Sequence, residues 1–538
     1  MASHPPRSGQ MAEIHHLMGE ASQAFGRGDF ARAAAGAEQT LRLAPELPEA
    51  LHLLGLCFLK HGEPQRALPL LQQAAARKPG DAQLMHNLGI ACLDTGGRAA
   101  AYEAFRQAAQ LDPHNPESWL NLAVLEEERG NPEAAEHAYR EILKHAPDRA
   151  AAAGGLAALL EQQNALEEAA EWSDAALRLD PEDPVGNLTR AQLDFRTGDH
   201  LAAAKRLEAL LQRPLTKRNR ALAAGRLGSV FDRLNEPEQA WRKFLESKAA
   251  LSETLAPKSE GVFSFSTARR MERYRDALLR AVLAAEGPMP VFLVGFPRSG
   301  TTLLDQLLSG HPEAAVLEEQ YTLQDVLQEH VFSDEGVERF LALDTNGLEK
   351  WRRCYWRRVE EFMPGRSDGA VFVDKLPLNC VLIPLLRRMF PGARFIFALR
   401  DPRDVVLSCF MQSFTLNEAM RHFLTLQETA VYYAAVMRLG TDSLDELPER
   451  THRVRYEDVV QDTAAEARRL LEFLGLSWEP KVLDFQETAR QRRINTPSYH
   501  QVAQPIYKSA QQRWRRYEQQ LAPVMPVLEP FVKRFGYF

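Results

Sequence analysis

The stretch VFLVGFPRSGTT, residues 291–302, decides how the C-terminal part of this chain folds. It reads as a buried strand, a glycine-bearing loop and the start of a helix. From Gly295 to Thr302 the spacing is that of a phosphate-binding loop. In such a loop backbone N–H groups surround phosphate and a lysine reaches the outer oxygens. Thr301 stands in the lysine's place. Arg298 supplies a cation instead, and Thr301 and Thr302 bring hydroxyl and N–H donors to a helix N-terminus.

Around this loop the apolar runs VFLVGF, AVFVDK, ARFIFALR and THRVRYED alternate with helical stretches. Buried runs of that length between helices predict an α/β domain with a parallel sheet covered on both faces. Ligands of such sheets sit at the carboxyl ends of strands. Arg400 ends a strand in FIFALRDPRDVVLS, and Ser408 is expected early in the next helix, both aimed at one oxyanion. Lys375 falls just past a strand end in VFVDKLPLN. A polar loop and an Arg/Trp-rich helix follow in INTPSYHQVAQPIYKSAQQRWRRYEQQL. Two anion sites and a lysine suit a nucleotide phosphorylated at two places. No strand-end aspartate reads as a magnesium ligand, which weighs against hydrolysis of a nucleoside triphosphate; no metal site is expected.

The N-terminal half obeys a different rule. Pro45, Pro79, Pro113, Pro147 and Pro181 are spaced by 34 residues, and so are Ala33, Ala67, Ala101, Ala135, Ala169 and Ala203. A third register holds only small residues: Ala21, Gly55, Gly89, Ala123, Ala157 and Ala191. Each period carries two amphipathic helical patterns. Small residues let the paired backbones approach, and the proline stops the second helix. One such hairpin cannot bury its own apolar stripe, so neighbours must stack into a solenoid. This part resembles the tetratricopeptide repeat family over residues 14–251, in seven units, the last displaced by three inserted residues. Residues 14–254 are read as the all-α solenoid, 255–289 as a linker with a helix ending at Gly287, and 290–538 as the α/β domain.

Composition bounds the rest. The net charge of −7 is unevenly spread: from Trp351 to Phe538 there are 28 Lys and Arg against 22 Asp and Glu, and elsewhere 37 against 50. A locally basic region in an acidic chain suits an anionic ligand. None of the five cysteines forms a C-x-x-C pair, so zinc and redox motifs are not indicated. Reduced thiols, the lack of an apolar run near the N-terminus and the lack of an 18-residue apolar run point to a cytoplasmic protein with no membrane span. Nucleic acid is not an expected partner.

Residues 290–537 resemble the sulfotransferase family, whose donor is 3′-phosphoadenosine 5′-phosphosulfate. PRSGTT is similar to the family's 5′-phosphosulfate loop and LRDPRDVVLS to its 3′-phosphate motif. Within the family the likeness is to tyrosylprotein sulfotransferases and to bacterial proteins that fuse tetratricopeptide repeats to such a domain. The resemblance implies that Arg298, Ser299, Gly300, Thr301 and Thr302 hold the 5′-phosphosulfate, and Arg400 and Ser408 the 3′-phosphate. It places Tyr456 beside the base and makes Arg513 a further nucleotide contact. It assigns Glu319 as the catalytic base. Lys375 and Ser498 stand at the transferring group with Arg298, and Ser498 also contacts the donor. Without a metal-bound γ-phosphate, the missing lysine is not required. Two positions depart from the branch: Tyr321 stands where an arginine is usual, and Gln412 where a basic residue is usual.

The residues alone leave alternatives open. Glu319 also reads as a surface helix carboxylate, Lys375 as a solvated lysine and Tyr456 as core packing. His311 reads either as another base or as the cap of the turn before Pro312. A nucleoside kinase, or a repeat scaffold with a dead catalytic domain, are rival functions. The resemblance implies a transferase acting on peptide tyrosine, with the repeats docking a protein; a sugar, lipid or metabolite hydroxyl remains open.

Overall fold

The computed structural model describes residues 8–254, 261, 263–365, 369–414, 416–484 and 511–538. Each of the first five 34-residue periods becomes a pair of helices packed on each other, from α1 (Ser8–Gly26) with α2 (Phe30–Leu43) to α9 (Ala150–Gln162) with α10 (Leu166–Leu179), and α13 (Lys217–Arg233) packs in the same way on α14 (Pro237–Ser252). The phased prolines lie two residues beyond the second helix of their pairs. The residue before each proline, Ala44, Lys78, Asp112, Ala146 or Asp180, has left the helical region at φ between −128° and −138°. A proline ring disfavours helical backbone in the preceding residue and the proline itself lacks an N–H, so the period ends there for a local reason. The small register is equally physical. A Cβ on Gly55 would lie 2.8 Å from Leu71, and one on Gly89 2.6 Å from Phe105.

The chain divides into two compact units, Met1–Thr197 and Gly198–Phe538. Helices α12 (His200–Leu211), α13 and α14 therefore group with the sheet. Helix α15 (Phe265–Arg280) follows. It starts where Ser264 accepts the Thr267 N–H as N-cap, and it stops seven residues short of Gly287. Arg388 donates to the carbonyl of Ala281 at that end, so a tertiary contact closes the helix there.

The sheet has five parallel strands: β1 (Val291–Gly295), β2 (Ala314–Glu318), β3 (Val371–Lys375), β4 (Arg394–Leu399) and β5 (Thr451–Arg455). Four were expected, and β2 is the addition. Its sequence AAVLE lacks the β-branched and aromatic density of the others, and its burial comes from pairing with β3. The order is β2-β3-β1-β4-β5. Every residue of β1 is buried, and Leu293 stands against Lys375 on one side and Ile396 on the other. The chain steps from β1 outward to β2 and β3, then returns to the opposite side for β4 and β5. That reversal opens a crevice at the carboxyl end of β1, where parallel sheets bind ligands.

Candidate active site

The loop after β1 is built by two glycines and one strained arginine. A Cβ on Gly295 would lie 2.7 Å from the Ala398 carbonyl, and Gly300 has φ +96° with its missing Cβ 2.8 Å from the Tyr456 ring. Arg298 has φ +71°, a left-handed conformation uncommon for side-chain-bearing residues. Strain of this kind persists only where surrounding contacts fix it. Arg400 donates to the Arg298 carbonyl at 3.1 Å, and Arg298 Nε donates to Ser408 Oγ at 3.1 Å. Cys409 Sγ donates to the Pro297 carbonyl at 3.3 Å. The Arg400 guanidinium also lies 4.6 Å over the Tyr456 ring. Arg298, Arg400, Ser408 and Tyr456, scattered through the sequence, thus meet on the β4–β5 side of the loop.

Helix α16 (Thr301–Ser309) begins at the loop with Thr301 and Thr302 in its first turn. Ser299 Oγ beside it is buried with no hydrogen-bond partner. An orphaned buried hydroxyl, two glycines leaving backbone open and two arginines fit a bound polyanion. Ser408 belongs to α21 (Pro402–Met411), where α17 to α20 are Gln324–His330, Asp334–Leu341, Thr345–Phe362 and Ile383–Met389. It is the seventh residue of that helix, not an early one. Asp401 caps α21 from outside and Pro402 takes its first position, which moves Ser408 about two turns in.

The β2–β3 side is different in kind. Lys375 is the last residue of β3 and is 0% exposed. Its Nζ lies 2.8 Å from Glu319 Oε1 and 3.1 Å from Glu318 Oε1. Burial opposes the ammonium charge, yet Glu319, Glu318 and Asp305 of α16 outweigh it and hold the lysine above its ordinary pKa. Glu319 follows β2 at φ +48°, with its N–H donated to the Lys375 carbonyl at 2.7 Å. It is therefore not a surface helix carboxylate, and Lys375 is not a solvated lysine. Behind them Asp374 is fully buried, accepts hydroxyls of Thr322 at 2.7 Å and Tyr355 at 3.0 Å, and is pushed by burial up to about 6.

His311 is buried, with Nδ1 accepting the Glu313 N–H at 3.1 Å and Nε2 facing the Ser477 carbonyl at 3.0 Å. Both nitrogens are engaged in holding the turn before β2, so it is a structural histidine. Arg513 is held 2.8 Å from Asp232 of α13. Ser498 lies outside the described residues. Tyr321 is 48% exposed and faces Phe263 at 6.5 Å between ring centroids. Sequence reasoning missed Glu318 and Asp404. Glu318 was half visible as the first of a paired Glu. Asp404, within LRDPRDVVLS, accepts the N–H groups of Gln512 and Trp514 at 2.8 Å each. Among the described residues no cluster of His, Cys, Asp and Glu is arranged to hold a metal ion, and no helix is long and apolar enough to cross a membrane.

Residues 290–480 match the family model described as sulfotransferase family. Residues 18–82, 82–115, 104–137 and 126–184 match tetratricopeptide repeat models. An uncharacterized protein of Aquifex aeolicus is 27% identical over 69% of this chain, which spans about half, 49%, of that relative. Protein-tyrosine sulfotransferase A of Caenorhabditis elegans is 25% identical over 46% of this chain and 67% of its own length. An omega-hydroxy-beta-dihydromenaquinone-9 sulfotransferase of Mycobacterium bovis is 26% identical over 35% of this chain and 63% of its own length. These matches bear out the likeness carried by PRSGTT and LRDPRDVVLS. The chain carries tetratricopeptide repeats followed by a domain of the sulfotransferase family.

Proposed function

We propose that the chain moves a sulfuryl group from 3′-phosphoadenosine 5′-phosphosulfate to an acceptor hydroxyl. One observation carries the reading. A buried lysine between two carboxylates and a cluster of two arginines, a serine and a tyrosine flank one phosphate loop. Arg298, Ser299, Gly300, Thr301 and Thr302 receive the 5′-phosphosulfate, Arg400 and Ser408 the 3′-phosphate, and Tyr456 lies by the base, with Arg513 and Ser498 completing the donor site. No metal is needed, because arginines and backbone donors neutralise the phosphates.

Glu319 takes the acceptor's proton while the acceptor oxygen bonds to sulfur and the bond from sulfur to the 5′-phosphate oxygen breaks. A general base of this kind contributes about 10²–10⁴-fold. The Glu319 side chain is the more exposed of the pair and therefore the one an acceptor reaches. Once protonated it no longer attracts Lys375. The ammonium, kept charged by Glu318, is then released towards the leaving phosphate, where Arg298 and Ser498 also act.

Peptide tyrosine is the acceptor we favour, with residues 14–254 docking a protein, since a solenoid offers an extended surface. The names of the tyrosine-specific relatives support this. A small apolar hydroxyl compound is the second reading, favoured by the exposed aromatic Tyr321 where an arginine is usual and by the name of the mycobacterial relative. The free cysteines, four of them buried, agree with action in the cytoplasm.

The test is calorimetric binding of 3′-phosphoadenosine 5′-phosphate in EDTA, followed by transfer from the labelled donor to a tyrosine peptide and to an apolar alcohol. Tight binding in EDTA with transfer is expected. Binding of nucleoside triphosphate with magnesium in its place would overturn the reading.

A further inference from the structure

The last helical hairpin of the repeat array makes contacts that no repeat needs for stacking. Asp232 of α13 is 5% exposed and gathers three side chains from the 513–517 segment. Arg513 Nη2 lies 2.8 Å from Oδ2, Arg516 Nη2 2.9 Å from Oδ1, and the Tyr517 hydroxyl donates to Oδ1 at 2.7 Å. Arg516 Nη1 also donates to the Asp232 backbone carbonyl at 2.8 Å.

The same short segment is fixed from the other side by α21. Asp404 accepts the N–H groups of Gln512 and Trp514, and Gln512 holds φ +56°. The Arg403 guanidinium lies 3.9 Å over the Trp514 ring. Helix α14 grips the far end of α21: Lys248, buried, donates to the Gln412 carbonyl at 2.7 Å, and Trp241 packs on Phe410 with centroids 4.8 Å apart. Gly225 of α13 approaches Ser413 so closely that a Cβ would lie 2.4 Å from its Oγ. The C-terminal end of α21, and the segment docked on its N-terminal end, thus both lean on one hairpin.

We propose that this hairpin is a working part of the donor site and that Asp232 is a positioning residue, orienting Arg513 for the nucleotide. The inference rests on the reading of α21 as the 3′-phosphate helix. The chemistry favours orientation over simple neutralisation. A guanidinium has five N–H donors in a rigid fork, and Asp232 engages one end of it. Arg513 Nε is buried with no hydrogen-bond partner, as expected of a fork held at one end with donors left for an oxyanion. A segment pinned in a left-handed turn also needs its anchors at both ends to stay there. The final repeat therefore does more than tether: it shapes the nucleotide site of the domain that follows it.

The experiment uses the full chain and 3′-phosphoadenosine 5′-phosphate as the calorimetric probe. Asp232→Asn should raise its Kd about tenfold, and Arg513→Gln should do the same. The double variant should bind no worse than Arg513→Gln alone, because Asp232 acts through that arginine. Arg516→Gln should lower Tm and leave Kd within twofold. A Kd for Asp232→Asn within twofold of wild type, or additive losses in the double variant, overturns the inference even if Tm falls. Should Asp232→Asn not fold, Lys248→Met takes its place: it should weaken the nucleotide several-fold, and unchanged affinity overturns the claim. A wild-type chain that ignores the nucleotide refutes the transferase reading and this inference with it. Wild-type binding with an indifferent Asp232→Asn refutes this inference alone.

Discussion

The two sides of β1 present the same element, a strand end in a parallel sheet, put to opposite electrostatic use. On the β4–β5 side, Arg400 donates to the Arg298 backbone carbonyl and Arg298 to the Ser408 hydroxyl, so two guanidinium groups meet at one loop. On the β2–β3 side, Lys375 is fully buried and its charge is already matched by Glu318 and Glu319. In the proposed mechanism the first side receives an anion. The second accepts one only after a proton lands on a carboxylate. The proposed mechanism thereby separates binding and chemistry across a single strand, and each half carries one left-handed residue, Arg298 at φ +71° or Glu319 at φ +48°.

Substitutions on the chemical side should have the largest effects and leave donor binding alone. Glu319→Gln removes the base while keeping its shape, so turnover should fall by about two orders of magnitude or more with donor Kd nearly unchanged. Steady-state kinetics paired with calorimetry measure both. Loss of nucleotide affinity in this variant would erase the separation between the sides.

The binding side should show the converse. Arg400→Ala should weaken 3′-phosphoadenosine 5′-phosphate by about 1.5–3 kcal/mol, the range for a hydrogen bond to a charged group. Adenosine 5′-phosphosulfate, which lacks the 3′-phosphate, should lose much less. Equal losses for the two would move the 3′-phosphate site elsewhere.

Glu318→Gln sharpens the comparison. Glu319 and Glu318, with Asp305 behind them, hold Lys375 above its ordinary pKa against burial. Without Glu318, the ammonium loses its remaining close partner as soon as Glu319 is protonated. We expect a decline of about tenfold in kcat and an alkaline limb of the pH–rate profile displaced to lower pH. A uniform decline at every pH would reduce Glu318 to packing.

The smallest expected effect is on stability. Burial lowers Lys248 from the ordinary lysine value to about 8. In the unfolded chain the lysine titrates near 10.4. Between those values the unfolded state binds more protons than the folded one, so this residue's contribution to stability rises with pH from about 8 to about 10. Urea midpoints over that range should rise more steeply for wild type than for Lys248→Met. Identical slopes would mean the lysine titrates normally.

Much of this was legible beforehand, for reasons that differ along the chain. The repeats were readable because the proline that stops a helix acts on its immediate neighbour, as at Ala44 and Lys78. The loop was readable because Gly295 and Gly300 serve backbone approach within a few residues. Strand β2 escaped because AAVLE has little intrinsic strand character and is made a strand by β3. Ser408 was placed too early in its helix because the cap lies at Asp401 and Pro402, directly after Arg400. Asp232 left no trace, since an aspartate near the end of a helix in a repeat looks like any other solvated carboxylate.

The sequence by itself determined the local backbone: the 34-residue period, the phosphate loop without its lysine, and which strand ends carry Arg400 and Lys375. Only the tertiary structure decided the pairings. Lys375 lies between Glu318 and Glu319 because β2 pairs with β3, and Arg513 meets Asp232 because α13 packs against α21. Turn and helix geometry follow from sterics between adjacent residues, which spacing reveals. The strength of a buried charge pair depends on strand order and desolvation, which exist only once distant segments have come together.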